Sequence, residues 1–225
     1  MSFLKVNTNA KLSGSSSSYI FAHFSLPAIK TCPNAGKCKT GCYATQGNYR
    51  FPSVQKSYAS NLEATRNLSM FKQTIQKELE RLDRKARKDG KYLAIRIHTS
   101  GDFYSKDYFD TWVDLSFQFP EITFYAYTKM ISQSKTRLLP FNFTLIFSEG
   151  GLQDHLINGS DRHSRVFSSR ETLIAAGYDD ASEDDGVAFL SRSGKIGLIY
   201  HGATKREWTT EQNNTEIKDT LRLVK

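Results

Sequence analysis

The chain has 225 residues, of which 39% are hydrophobic and 24% charged, and a formal net charge of +8. This length supports one core of ordinary size, and the composition excludes fibrous and disordered classes. No apolar run reaches the roughly 20 residues of a bilayer-spanning helix, so no membrane partner is expected.

The opening, MSFLKVNTNAKLSG, has no apolar stretch followed by a small-residue cleavage site. An intracellular, reducing compartment is the expectation. Residues 1–91 carry 16 Lys and Arg against 5 Asp and Glu, and the remainder 15 against 18. A basic half suits nucleic acid or an anionic ligand. It is equally the product of one solvated helix over Gln76–Lys91, whose Glu, Lys and Arg spacing makes i,i+4 pairs.

In chain order, the serine run Ser13–Ser18 reads as a flexible loop. A hydrophilic loop with three cysteines follows. A helix begins near Ser53, with Ser53 as N-cap, and a second runs from Phe71 to Lys88. Strand and helix then alternate. Strands are expected at Tyr92–His98, Ile122–Thr128, Phe143–Ser148, Arg165–Ser168, Gly186–Leu190 and Lys195–His201. Helices are expected at Lys106–Phe119, Ser132–Leu139 and Arg170–Gly177. This predicts an α/β fold, either a partial (β/α) barrel or a parallel sheet, with an N-terminal cysteine-bearing loop. A single domain over 1–225 is expected, with 1–53 as N-terminal segment and cysteine loop and 54–225 as helices and α/β core. The acidic stretch Tyr178–Gly186 reads as a solvated surface loop.

Small, polar or charged residues follow each apolar strand at once: Ser100–Gly101–Asp102, Lys129, Ser148–Glu149, Arg170 and His201. Sites in parallel α/β folds form outside the C-terminal strand ends. Asp102, Lys129 and Glu149 are therefore candidate catalytic groups. Ser100, Gly101, Asp102, Ser148, Arg170 and His201 are candidate cofactor-binding groups. The alternative for each is a turn or a helix cap.

Cys32, Cys38 and Cys42 are the only cysteines, spaced C-x5-C-x3-C. Clustered thiols in a reducing compartment bind metal or do redox work more often than they form bridges. Structural zinc wants four ligands, and the nearest preceding histidine is His23, so a Cys3His zinc site stays open as an alternative. Three thiolates also suit a [4Fe–4S] cluster that leaves one iron open for water, substrate or cofactor. This arrangement resembles that of radical S-adenosylmethionine (SAM) enzymes. There the cluster loop follows the first strand of a partial barrel, an aromatic usually precedes the last cysteine and packs near the adenine, and a Gly-Gly-Glu-like stretch ends the second strand. The resemblance implies Cys32, Cys38 and Cys42 as cluster ligands, Tyr43 near the adenine and Ser100–Asp102 in place of Gly-Gly-Glu. Both cysteine gaps are longer here, and Tyr43 follows the last cysteine.

A closer resemblance lies in LPA (Leu26–Ala28), TCP around Cys32, Cys38, CYA (Cys42–Ala44), SGDF (Ser100–Phe103) with Tyr108 and Trp112, and FYAYTK (Phe124–Lys129). On these the chain is similar to phage-encoded proteins named after gene product eighty-eight of a mycobacteriophage. That implies a viral origin and an iron–sulfur, radical-SAM-like reading, but no substrate. The accompanying expectations are a place in the host cytoplasm, an electron donor of the host and a small-molecule or nucleic-acid substrate. Two further functions stay open. One is a cluster- or zinc-stabilised nucleic-acid-binding protein, since aromatic and basic residues interleave over Tyr43–Tyr58. The other is Lewis-acid chemistry at an open iron.

Overall fold

The computed structural model describes residues 2–6 and 18–200. Its centre is one eight-stranded sheet. The strands are β1 (Lys5–Val6), β2 (Tyr19–Phe24), β3 (Tyr92–Ile97), β4 (Thr123–Thr128), β5 (Phe143–Ser148), β6 (His163–Phe167), β7 (Asp179–Asp180) and β8 (Lys195–Ile199). They lie in the order β1-β2-β3-β4-β5-β6-β8-β7, and every pairing except β1 with β2 is parallel. Parallel strands in chain order need crossovers, and α/β alternation supplies them. The expected mixed α/β class with a mainly parallel sheet is what the chain adopts.

Helices α1 (Pro52–Ala64) and α2 (Leu68–Lys88) connect β2 to β3, and α3 (Lys106–Gln118) connects β3 to β4. Asn67 caps α2 by accepting from Met70 N at 3.1 Å, and Ser105 caps α3 by accepting from Tyr108 N at 3.3 Å. Phe71, Ile75, Leu79, Leu82 and Ala86 form the buried stripe of α2. They meet Leu93, Ile95 and Ile97 of β3 and Tyr108, Phe109 and Trp112 of α3 in one core. Each such large side chain contributes about 1.5–3 kcal/mol by leaving water. The charged residues of α2 are solvated, as expected, except Glu78, which is buried and accepts from Phe3 N and Leu4 N at 2.9 and 2.7 Å. This carboxylate ties the N-terminal strand to the helix layer.

The opposite face of the sheet carries Phe21, Ala94, Tyr125, Ile146 and Ile196. It is covered by α6 (Val187–Leu190), which follows α4 (Ile131–Ser134) and α5 (Arg170–Ala175). Residues Gly186–Leu190, expected as a strand, are this short helix. Four apolar residues do not separate strand from helix by periodicity. Here Phe189 is placed 5.4 Å from the Tyr19 ring and 5.2 Å from the Tyr125 ring, plugging the sheet face. The strand that does precede the cysteines, β2, escaped the sequence reading behind the serine run. Residues 13–17 of that run and His201 lie outside the described residues. Ser53 does not cap α1; Phe51 holds the cap position without a side-chain bond, and Pro52 starts the helix.

His98 ends β3 with φ +70° and packs on Phe103 at 4.7 Å, with Nε2 and Tyr108 Oη 2.8 Å apart. Burial, helped by Arg96, lowers its pKa from 6.5 to about 3, and burial with Arg96 and Lys5 lowers that of His23 to about 4. Both are neutral in the fold and protonate more readily once unfolded. Their contribution is therefore present above pH 6.5 and lost as pH falls toward 3–4. Asparagine tolerates the His98 backbone. His98→Asn should flatten the dependence of unfolding free energy on pH between about 4 and 6 by roughly one proton. Denaturant titrations across that range check this; an unchanged slope refutes it.

Candidate functional site

The cysteine segment leaves β2 and docks across the C-terminal ends of three other strands. Leu26 N donates to Ser100 O at 2.8 Å, and Ser100 Oγ donates back to Leu26 O at 2.8 Å, which fixes the segment to the end of β3. Cys38 N donates to Gly150 O at 3.1 Å and Leu152 N to Asn34 O at 3.0 Å, which fixes it to the loop after β5. Tyr200 Oη, just beyond β8, donates to Gly41 O at 3.0 Å. Local turns do the rest: Cys32 N bonds Ile29 O and Ala35 N bonds Cys32 O, both at 3.2 Å. Ile29 has φ +65°. Such strain in a non-glycine residue persists only where its surroundings enforce it.

Two glycines permit this docking. A Cβ on Gly101 would lie 2.6 Å from Thr31 Oγ1 and 2.7 Å from Leu26 Cβ, and one on Gly36 would lie 2.9 Å from the Gly151 carbonyl carbon. Both have positive φ, +90° and +51°. Gly101 of the SGD stretch is thus accounted for by the approach of the cysteine segment, and so is Gly151 of EGG, where a Cβ would lie 2.9 Å from Asn34 O.

Between segment and strand ends lies a cavity of about 110 Å³. Cys32, Cys38 and Cys42 all line it, and the cysteines are free thiols. Of the residues expected from the strand ends, Ser100, Gly101, Asp102, Lys129 and Ser148 line the same cavity, as does Tyr43. Asp102 is braced: Oδ1 accepts from Thr128 Oγ1 at 2.6 Å and Phe103 N at 2.7 Å, and Oδ2 from Lys129 N at 2.9 Å. Burial raises its pKa, against these three bonds and the Lys129 charge. Lys129 Nζ donates to Ser148 O, Ser148 Oγ and Glu149 O at 3.0, 2.7 and 2.6 Å. Tyr43 is 50% exposed, yet its hydroxyl reaches Thr99 O at 2.5 Å.

Burial, with the Asp102 charge second, raises Cys32 from 9.0 to about 12, and burial also raises Cys42, with Cys38 second. Burial thus favours the protonated thiol at Cys32 and Cys42 until a cation replaces the proton. Among the described residues no three His, Cys, Asp or Glu side chains are placed to hold a metal ion. Three cysteine sulfurs at one cavity are a donor set shared by iron–sulfur and zinc centres.

Two expected residues are not at this cavity. Glu149 turns to Arg165, with Oε2 2.7 Å from Nε. Arg170 is exposed and 3.3 Å from Asp180. Arg96, His98 and Tyr127 are among the lining residues that the sequence reading did not single out. A charge inside the apolar strand YLAIRI is the one signal that pointed to Arg96, because a parallel strand is buried on both faces. The acidic stretch Tyr178–Gly186 is also more than solvated surface. Asp185 is fully buried and Oδ2 accepts from Arg96 Nη1 at 2.7 Å and Tyr125 Oη at 2.8 Å.

Asp185→Ala should cost about 3–5 kcal/mol in unfolding free energy, because Arg96 would keep a buried charge without its partner. Chemical denaturation measures it, and a loss below about 1 kcal/mol would show the pair to be dispensable. Gly101→Ala should cost about 1–3 kcal/mol and loosen the segment. Its signature is faster reaction of the three thiols with a disulfide reagent; unchanged thiol rates would refute the docking role.

Comparison with curated proteins and with solved structures returns no match. The family described as Gene product 88 matches residues 1–217, which takes in the docked cysteine segment and every lining residue named above. The chain belongs to the Gene product 88 family.

Proposed function

We propose that this protein holds a [4Fe–4S] cluster on Cys32, Cys38 and Cys42 and is a radical-SAM-like enzyme, a phage protein working in the host cytoplasm with a host electron donor. The observation that carries the reading is the meeting of all three thiols at one cavity beside the C-terminal strand ends. Position within the fold supports it. The cysteine segment follows β2, the first parallel strand, and Ser100–Asp102 follow β3, the next one. Radical SAM enzymes place their cluster loop and Gly-Gly-Glu-like stretch in that order.

When bound, such a cluster supplies an open iron and a single electron for reductive cleavage of SAM. The residues of this chain have separate tasks around it. Cys32, Cys38 and Cys42 exchange protons for metal, so loading releases protons and becomes easier as pH rises. Asp102 and Lys129 hold a carboxylate and an ammonium in fixed positions on the cavity wall, the first through three hydrogen bonds and the second through three acceptors. Tyr43, next to Cys42, offers an exposed ring for stacking.

A second reading has its own observation. Tyr43 and Phe51 are exposed beside the exposed Lys30, Lys37, Lys39 and Arg50. Such a face suits single-stranded nucleic acid, with the metal site as a staple.

Anaerobically purified, dithionite-reduced protein should give a [4Fe–4S]+ electron paramagnetic resonance signal that shifts on adding SAM. Changing any one of the three cysteines to serine should cut bound iron severalfold. A cluster signal indifferent to SAM, with salt-dependent nucleic-acid binding, would select the second reading. Zinc in place of iron after anaerobic purification would overturn the cluster.

A further inference from the structure

The cysteine segment has an outer face that its docking leaves free. No aspartate or glutamate precedes Glu63 in the chain, whereas Lys30, Lys37, Lys39 and Arg50 all lie on this segment and are exposed. Among the described residues none of the four makes an ion pair. The carboxylates of the elements beneath are taken up where they stand. Asp102 is held by its three hydrogen bonds, Glu149 by Arg165, and Asp154 accepts from Gly150 N and Gly151 N at 2.8 and 2.9 Å. Of the four cations only Lys39 also lines the cavity, so occupation of the thiols leaves Lys30, Lys37 and Arg50 on the surface.

These cations stand over the thiols. Lys30 comes two residues before Cys32, and Lys37 and Lys39 flank Cys38 in the turn Gly36–Lys39. Arg50 ends the turn Gly47–Arg50, which Tyr49 ties to Tyr43, beside Cys42, with ring centroids 5.6 Å apart. Ile29, Tyr43 and Phe51 are exposed among them. A few apolar side chains within a charged rim are the anatomy of a protein-binding patch. The opposite wall of the cavity is built on the strand ends, so this face is the short way from solvent to the half-buried cysteines.

That position selects among anionic partners. Exposed cations spread along a loop enclose no small ion, but their summed field steers a body as large as the patch. Encounters between electron-transfer proteins are small, weak and guided by charge. We propose that the outer face of the cysteine segment docks the electron donor, and that the donor is a small one-electron carrier protein with an acidic face. This rests on the cluster reading above. Docking puts the carrier over the thiols; the reduced donor loses one electron, the oxidised cluster gains it, and no bond forms or breaks. Nucleic-acid binding uses the same charges but does not need them over the thiols.

The probe is a reduced plant-type [2Fe–2S] ferredoxin of net negative charge, mixed anaerobically with the full chain carrying its oxidised cluster. The rate of cluster reduction should fall at least about tenfold between about 0.01 M and 1 M salt, as screening shortens the reach of the charges. Lys30→Glu with Arg50→Glu should slow reduction about tenfold at low salt and weaken ferredoxin binding in calorimetry. Dithionite should still bring this variant to the parent's full [4Fe–4S]+ signal. A rate indifferent to salt, or a parental rate in the double variant, would overturn the docking surface. So would a single-stranded oligonucleotide whose binding the double variant abolishes while the ferredoxin rate stays parental; that result gives the face to nucleic acid. Absence of a dithionite-reducible cluster in the parent is a different failure, since it overturns the cluster reading and the electron donor with it.

Discussion

A buried charge on the sheet is the constraint around which the rest of this structure is arranged. Arg96 projects from the middle of the sheet between strands β2 and β4, where His23 and Tyr125 are its register neighbours. A guanidinium there costs several kcal/mol unless a carboxylate and hydrogen bonds compensate it. Asp185 is that carboxylate, and it comes from a segment 89 residues later in the chain. Bringing it in folds the stretch after β7 over the sheet face, seats Phe189 against Tyr19 and Tyr125, and turns Val187–Leu190 into a helix. After burial, the Arg96 charge lowers the pKa of His23 and His98 further.

On the other side of the cavity the argument is steric. The cysteine segment has only short 3-10 turns, at Gly36–Lys39, Tyr43–Thr45 and Gly47–Arg50, and is held through backbone bonds to Ser100 and Gly150 and the Tyr200 hydroxyl. Backbone can approach backbone so closely only where no Cβ intervenes, which is why Gly36 and Gly101 stand at the contacts. Three thiols on an irregular loop thereby acquire fixed positions. Their cavity is walled on one side by the loop and on the other by residues following β3 and β4.

Asp102 and Lys129 join the two arguments. Each is anchored to a neighbouring strand end: Asp102 to Thr128 and Lys129 after β4, and Lys129 to Ser148 and Glu149 at the end of β5. Their side chains are spacers between strands as well as charges at the cavity. A group held by three bonds is pre-organised, and it holds a ligand without first losing rotamer freedom.

Alternating apolar strands and amphipathic helices made the α/β class and the helices α2 and α3 legible, because period and length are local properties. The three cysteines and the small polar residues after β3 and β4 were legible for the same reason: loop chemistry follows strand ends directly. The sequence by itself therefore determined the class, the thiol set and most of one wall of the cavity. Which strand-end groups face that cavity was decided only by tertiary structure. Lys129 and Glu149 follow their strands in the same way, yet one lines the cavity and the other turns to Arg165. Arg96, Tyr127 and Asp185 depend on partners far along the chain, and so does the helical state of Val187–Leu190. Side-chain direction and charge compensation are long-range properties, and a local pattern holds no record of them.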